Sequence, residues 1–311
     1  MSFEGSEKKI EVIVNESINL RKIGNAFWKN MVAKCEATIL SNISNEECDA
    51  YLLSESSLFV WKHKFLMITC GRTVLVNSVL RFLEEFDKSV IDALFFQRKN
   101  EYYERLQPSS FKDDINKIGK LISGKALRFG HLDTHHTYLF HSDYIKNVEK
   151  EDKTTELLMY HITGKGADIF RAKDQDINVI REFLDYEKTF PGFKIDDFLF
   201  QPFGFSLNGI KKDKYITIHI TPEDSTSYVS FETNLDIEKE DPKLLDRILD
   251  MFSPEAFDVI NFNSSIAPKL DNDKLQCIKK YKHKINDVLD INYYEFHKIQ
   301  TEMNLAIEVK K

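Results

Sequence analysis

The sequence predicts an α+β fold richer in strands than in helices, on three observations: short apolar runs recur throughout, helical spacing is confined to a few stretches, and two late runs alternate cleanly. The apolar runs lie at 10–14, 37–43, 57–60, 65–69, 137–141, 156–162, 214–221, 227–232 and 256–262, each bounded by polar residues, and read as strands. In 73–86, Val74, Leu75, Leu80, Leu83 and Phe86 keep approximate helical spacing, and 175–187 and 243–252 read the same way. In 214–221, Ile216, Ile218 and Ile220 take one face while Thr217, His219 and Thr221 take the other. In 227–232, Val229 and Phe231 oppose Tyr228, Ser230 and Glu232. The connection 222–226 has hairpin length, so if these strands pair, His219 and Glu232 share a polar face.

A chain of 311 residues leaves one or two domains open. No repeat of 20 to 50 residues is visible, and the charged stretch 146–155 is too short to mark a boundary, so the chain is read as one unit, 1–311. Apolar content of 42%, charged content of 30% and 7 prolines describe a globular protein with a sizeable core.

A net charge of -7 and the lack of a basic run interleaved with aromatics argue against nucleic acid. No apolar stretch approaches the roughly 20 residues of a membrane span, and the N-terminus does not read as a signal peptide. A cytoplasmic protein without a membrane partner is expected. Cys35, Cys48, Cys70 and Cys277 are scattered, which fits reduced thiols rather than a disulfide frame or zinc site. The N-x-S sequons at Asn15, Asn42 and Asn263 lack the secreted context that would use them.

Three motifs tempt and fail. Gly204-Phe205-Ser206-Leu207-Asn208-Gly209 puts its second glycine one residue too far on for a nucleophile elbow. His131, His135 and His136 crowd together without an acidic partner at a recognised spacing and read as a solvated turn, so no metal is expected. Gly164-Lys165-Gly166 lacks the rest of a P-loop and reads as a turn.

The serine-rich segment Leu53-Ser54-Glu55-Ser56-Ser57 interrupts two apolar runs and, taken alone, is a β-turn. Followed by Ile68-Thr69-Cys70-Gly71, it resembles the processing site and catalytic cysteine of eukaryotic-type, pyruvoyl-dependent S-adenosylmethionine decarboxylases. Further blocks are similar to that family in the family's order: Phe3-Glu4-Gly5-Ser6-Glu7-Lys8, Pro202 to Gly209, His219-Ile220-Thr221-Pro222-Glu223, and Ser227 to Asn234. The tail from about 235 resembles it only loosely.

The resemblance implies a four-layer αββα sandwich of two antiparallel sheets flanked by helices. It implies autocatalytic cleavage between Glu55 and Ser56, giving a β chain 1–55 and an α chain 56–311, with Ser206 and His219 assisting the attack of Ser56 on Glu55. Ser56 would become the pyruvoyl group, replacing pyridoxal phosphate and any metal, and would hold substrate as a Schiff base. Cys70 would be the proton donor, with Glu4 and Glu7 beside the reaction. Phe3 and Phe200 would sandwich the adenine of S-adenosylmethionine, Leu53 would offer backbone hydrogen bonds to the base, and Glu223 would accept the ribose hydroxyls.

Glu4, Glu7, Glu11, Asp152, Thr154, Glu156 and Glu232 match a buried charged site that binds putrescine in animal-type members. Here Ile68 stands where animal members usually carry lysine, and Arg72 replaces a threonine. Gln201, Phe203 and Phe205 also depart from the common motif around Ser206. The implied product is decarboxylated S-adenosylmethionine for spermidine and spermine synthesis, and a homodimer of αβ units is compatible. Three other readings remain at this stage: a regulatory partner subunit of an active decarboxylase, a pyruvoyl decarboxylase of another amino acid, and a serine esterase. For His219 the alternative is a strand histidine satisfied by a hydroxyl neighbour, and for Cys70 a small buried hydrophobe.

Overall fold

The computed structural model describes residues 4–223, 226–268 and 275–299. The first half of the chain builds one antiparallel sheet from β1 (Lys8–Val14), β2 (Ile39–Ser44), β3 (Cys48–Leu53), β4 (Ser56–Trp61), β5 (Lys64–Thr69), β6 (Ile91–Lys99), β7 (Gly124–Gly130) and β8 (His136–Ser142). The second half builds another from β9 (Thr154–Tyr160), β10 (Lys194–Leu199), β11 (Phe205–Lys211), β12 (Lys214–Thr221), β13 (Tyr228–Thr233), β14 (Ala256–Phe262), β15 (Leu275–Lys284) and β16 (Asp290–Lys298). The charged stretch 146–155 is the crossover between them.

Both sheets have one connectivity. The first runs β2-β3-β4-β5-β1-β6-β8-β7 and the second β10-β11-β12-β13-β9-β14-β16-β15, the same order with every label raised by eight. The repeat is thus half the chain long and lives in topology, which leaves no short period to read in the sequence.

Period-two alternation sorts the residues into layers. In β1, Ile10, Val12 and Val14 join Trp28, Met31, Val79 and Phe82 in a core under the helices Asn25–Lys34 and Val76–Glu85, while Ile13 faces the other sheet. In β12, Ile216, Ile218 and Ile220 pack with Phe170, Ile180, Ile248 and Phe252 from the helices Gly164–Arg171, Ile177–Leu184 and Leu244–Phe252. The last of these buries Leu244, Leu245, Ile248, Leu249 and Phe252, one stripe of a 3.6-residue period. Each sheet therefore turns an apolar face outward to its helices, and the fold is a four-layer αββα sandwich.

The faces between the sheets are mixed. Phe59, Ile68, Ile210 and Tyr215 form one apolar patch there, and Phe95, Tyr160, Leu158 and Tyr293 belong to another. Buried polar residues cross the same interlayer, with Lys9 of the first sheet bonded to Glu156 of the second and Ser57 to Asn208.

Three sequence expectations need correction. Gly164-Lys165-Gly166 opens a helix rather than making a turn. The helical stretch 175–187 ends at Leu184, because Asp185 takes a left-handed conformation at φ 44° before a short second turn, Tyr186–Thr189. The solvated turn expected at 131–136 holds only for its first part: His131 is exposed, but His136 is buried, and His135 lies with its ring centroid 3.8 Å from that of Tyr160.

Candidate active site

The hairpin between β3 and β4 brings Leu53 opposite Ser56, and Ser56 in turn pairs with Thr69 of β5. Cys70, next after Thr69, thereby arrives beside the Glu55–Ser56 peptide. The Glu55 carbonyl accepts hydrogen bonds from the Cys70 backbone N–H at 2.9 Å and from its thiol at 3.3 Å. Ser56 is buried and holds φ at 142°, a region that costs a non-glycine residue on the order of 1–3 kcal/mol. A strained peptide with a polarised carbonyl is the result.

The second sheet supplies the other side. His219 of β12 reaches across the interlayer, with Nε2 2.9 Å from Ser56 Oγ and Nδ1 2.8 Å from Ser206 Oγ. Thr217 and Ser57 hydroxyls also approach Nε2, at 2.8 and 3.2 Å, and Asn208 Oδ1 accepts from Ser57 Oγ at 2.6 Å. Burial lowers the His219 pKa to about 3, so the ring is neutral near pH 7. A neutral ring has one N–H and one lone pair; with Nδ1–H donated to Ser206, Nε2 is free to take the Ser56 proton. Sequence reasoning expected Ser206 to help the scissile carbonyl. The contact it makes is to His219, and the donors on Glu55 come from Cys70.

Burial raises the Cys70 thiol well above its ordinary value, with Glu55 and Glu7 adding to it, so the thiol keeps its proton. Burial likewise raises Glu7 to about 8, with Glu232 and Glu156 contributing and a 2.6 Å hydrogen bond from Ser230 opposing. Glu55 rises to about 7 for the same chief reason. Glu4 is tied by the Ser6 and Tyr103 backbone N–H groups at 3.0 and 2.8 Å.

A cavity of about 360 Å³ opens at this point, and its walls include Glu55, Ser56, Cys70, Phe200, His219 and Glu223. Gly204, at φ 126° and with Phe200 Cβ only 3.5 Å from where its own Cβ would sit, lets the loop turn back so that its carbonyl accepts from the Phe200 N–H.

The family model described as adenosylmethionine decarboxylase matches residues 1–306. The chain belongs to the adenosylmethionine decarboxylase family. Relatives named S-adenosylmethionine decarboxylase proenzyme include those of Drosophila melanogaster, 34% identical over 84% of this chain and 82% of the relative, and of Leishmania donovani, 32% identical over 86% and 75%. That of Dictyostelium discoideum is 30% identical over 86% of this chain and 76% of its own. The crystal structure of the Trypanosoma brucei AdoMetDC-delta26 monomer matches with TM-score 0.61 at 22% identity, covering 78% of this chain and 99% of that one, and so bears out the fold.

Among the residues expected of an adenosylmethionine decarboxylase, Ser56, Cys70, Ser206, His219, Phe200 and Glu223 come together around one cavity. Phe3 lies outside the described residues. Leu53 sits behind the cavity with its side chain in the helix-side core of the first sheet. Glu223 accepts from Thr226 Oγ1 at 3.2 Å.

Glu11, Asp152 and Thr154 of the expected charged site line one cavity of about 310 Å³ with Lys9. Glu156, Glu232 and Thr154 are buried, but Asp152 is exposed and Glu11 only half-buried, with Lys64 Nζ 3.8 Å away. Sequence reasoning missed its centre. Lys9 Nζ lies 2.7 Å from Glu156 and 2.9 Å from Glu232, and Lys9 pairs directly across the strands with Ile68. Burial works against the Lys9 ammonium, yet Glu156 and Glu232 outweigh it and leave its pKa raised. For Glu232 burial prevails and lifts the carboxyl to about 7 despite Lys9. Gln97 Nε2 and the Tyr215 hydroxyl complete it. The alternation of Lys9 and Glu11 on one face of β1, with Glu7 just before the strand, was the signal available in the sequence.

Proposed function

We propose that the chain cleaves its own backbone between Glu55 and Ser56, converts Ser56 into a pyruvoyl group, and uses it to decarboxylate S-adenosylmethionine. The observation that carries this reading is the meeting of Ser56 Oγ with His219 Nε2 at 2.9 Å, beside a Glu55 carbonyl held by Cys70. His219 takes the Ser56 hydroxyl proton as Oγ attacks the Glu55 carbon. The carbon–nitrogen bond then breaks, its nitrogen gains a proton, and an ester joins the two parts. The Cys70 N–H and S–H stabilise the oxyanion between these steps, and strain released at Ser56 offsets the poorer stability of an ester. Loss of the Ser56 α-proton and its Cβ–Oγ bond frees residues 1–55 with a Glu55 carboxylate. The remaining dehydroalanine takes up water and releases ammonia.

The residues around position 56 fit a pyruvoyl group, since Ser56 forms the cavity wall beside Cys70, Phe200 and Glu223. Once formed, that group supplies an electron-withdrawing carbonyl into which the carboxylate's bonding electrons flow as carbon dioxide leaves. The chain's own residues do the rest. Phe200, with Phe3, stacks on the adenine, Glu223 accepts from the ribose, and Cys70 Sγ returns a proton to the α-carbon. The product is decarboxylated S-adenosylmethionine, an aminopropyl donor for polyamine synthesis.

Lys9 is the resident cation of the acidic site, so neither processing nor turnover responds to putrescine. Two buried carboxyls need a positive partner, and Lys9 supplies it from the strand adjoining Ile68.

Intact mass under denaturing conditions, for the natural chain beside Ser56→Ala, tests the central claim. Two chains of roughly 6 and 30 kDa, scaled by residue number, in the natural protein alone are expected. One chain of 36.4 kDa in both overturns it.

A further inference from the structure

A second constellation lies outside the residues to which this chemistry is assigned. Glu295 and His297 stand two apart on β16, so their side chains leave one face of the strand. His135, just before β8 in the other sheet, meets that face. One donor atom from each of the three lies within 4.8 Å of the others, and His297 Nε2 is 3.0 Å from Glu295 Oε1. Glu295 is fully buried.

Two buried atoms beside them lack a hydrogen-bond partner: His135 Nδ1 and Asp258 Oδ1, 3.8 Å apart. Asp258 is itself fully buried and fixed through its other oxygen by Lys99 and the Tyr160 hydroxyl. Metal-bound histidines commonly donate their second ring N–H to a carboxylate, which sets the tautomer and aims the other nitrogen at the ion. Placing the His135 proton on Nδ1, toward Asp258, leaves Nε2 with a lone pair for a ligand, and a small closure of the 3.8 Å gap would give both orphaned atoms a partner.

We propose that His135, Glu295 and His297 bind a divalent first-row transition cation of the zinc class, with Asp258 orienting His135. Two imidazoles and one carboxylate suit such ions, whereas magnesium and calcium favour all-oxygen shells. Bonds of about 2.1 Å require donors roughly 3.4 Å apart, so the His135 and His297 rings close inward on binding. Lys279 Nζ, 3.0 Å from Glu295 Oε2, occupies the carboxylate in the cation's stead and swings outward when the ion arrives. The ion would tie the first sheet to the second.

The test is calorimetric titration of zinc into full-length, tag-free protein previously dialysed against chelator, with cobalt absorption as a second readout. One ion per chain is expected, weakened at least tenfold in His135→Ala and in His297→Ala. Lys279→Met, which removes the competing ammonium, is expected to bind more tightly. Because the His297 side chain is 39% exposed, its loss leaves the fold intact, and a melting curve without metal verifies this. Failure to saturate at one ion, or an affinity in either histidine variant equal to that of the natural chain, overturns the proposal. Decarboxylase activity is not read, so the result stands apart from the proposed function.

Discussion

The carbonyl oxygen of Glu55 accepts two hydrogen bonds from one residue, Cys70, through its backbone N–H and its thiol. A side-chain substitution removes only the second. Cys70→Ala is therefore expected to slow backbone cleavage about ten- to a hundredfold, less than the 10²–10³ of a full oxyanion donor because a thiol donates weakly. Cys70→Ser is expected to recover most of the cleavage while turnover stays impaired. A mass-spectrometric time course separates the two; unchanged cleavage in the alanine variant removes the thiol from the processing step.

His219 is neutral when folded, with a pKa near 3 against about 6.5 when unfolded. The unfolded chain thus binds more protons between those values, and stability contributed by this residue is complete above pH 6.5 and lost as pH falls toward 3. The slope is at most about 1.4 kcal/mol per pH unit. Urea midpoints at pH 4.5 and 6.5 should differ less in His219→Gln than in the natural chain. The same variant should not cleave.

Lys9→Met leaves two carboxyls buried without their cation, and breaking such a pair costs about 3–5 kcal/mol. A large fall in melting temperature is expected, partly restored by putrescine, whose ammonium reaches the vacated place. The natural chain should show no putrescine response in melting, cleavage or turnover. A natural chain that putrescine activates would assign the cation role elsewhere.

Phe200→Ala removes one ring from the wall of the reaction cavity. Losing a stack worth roughly 1–3 kcal/mol should raise KM about tenfold or more, with cleavage at Glu55–Ser56 unaffected. Steady-state kinetics on processed protein verify it.

The α+β class and most strands were legible in the sequence because their apolar runs are short and bounded. Seven of the sixteen strands among the described residues, β3, β6, β7, β10, β11, β15 and β16, were not; Ile91–Lys99, for one, is buried on both faces and shows no alternation. His219 and Glu232 share a face as expected, with Thr217 opposite Glu232 and Ser230 opposite His219. Lys9 escaped notice because a lysine in a strand ordinarily reads as solvated, and only the second sheet brings Glu156 and Glu232 to it. The oxyanion donors escaped for a similar reason: a backbone N–H has no letter of its own, and strand register alone places that of Cys70 on Glu55.

β1 lies between β5 and β6, hydrogen-bonded to both. Under the proposed scission after Glu55, the short chain would carry β1, β2 and β3 of the first sheet, with β1 an inner rung between two strands of the long chain. For that chain to escape, three ladders would have to open, β1 with β5, β1 with β6 and β3 with β4, and the helix-side core would have to meet water. Under that proposal the two polypeptides would have no meaningful dissociation constant: dilution would not separate them, and their one-to-one ratio would be inherited from the single precursor.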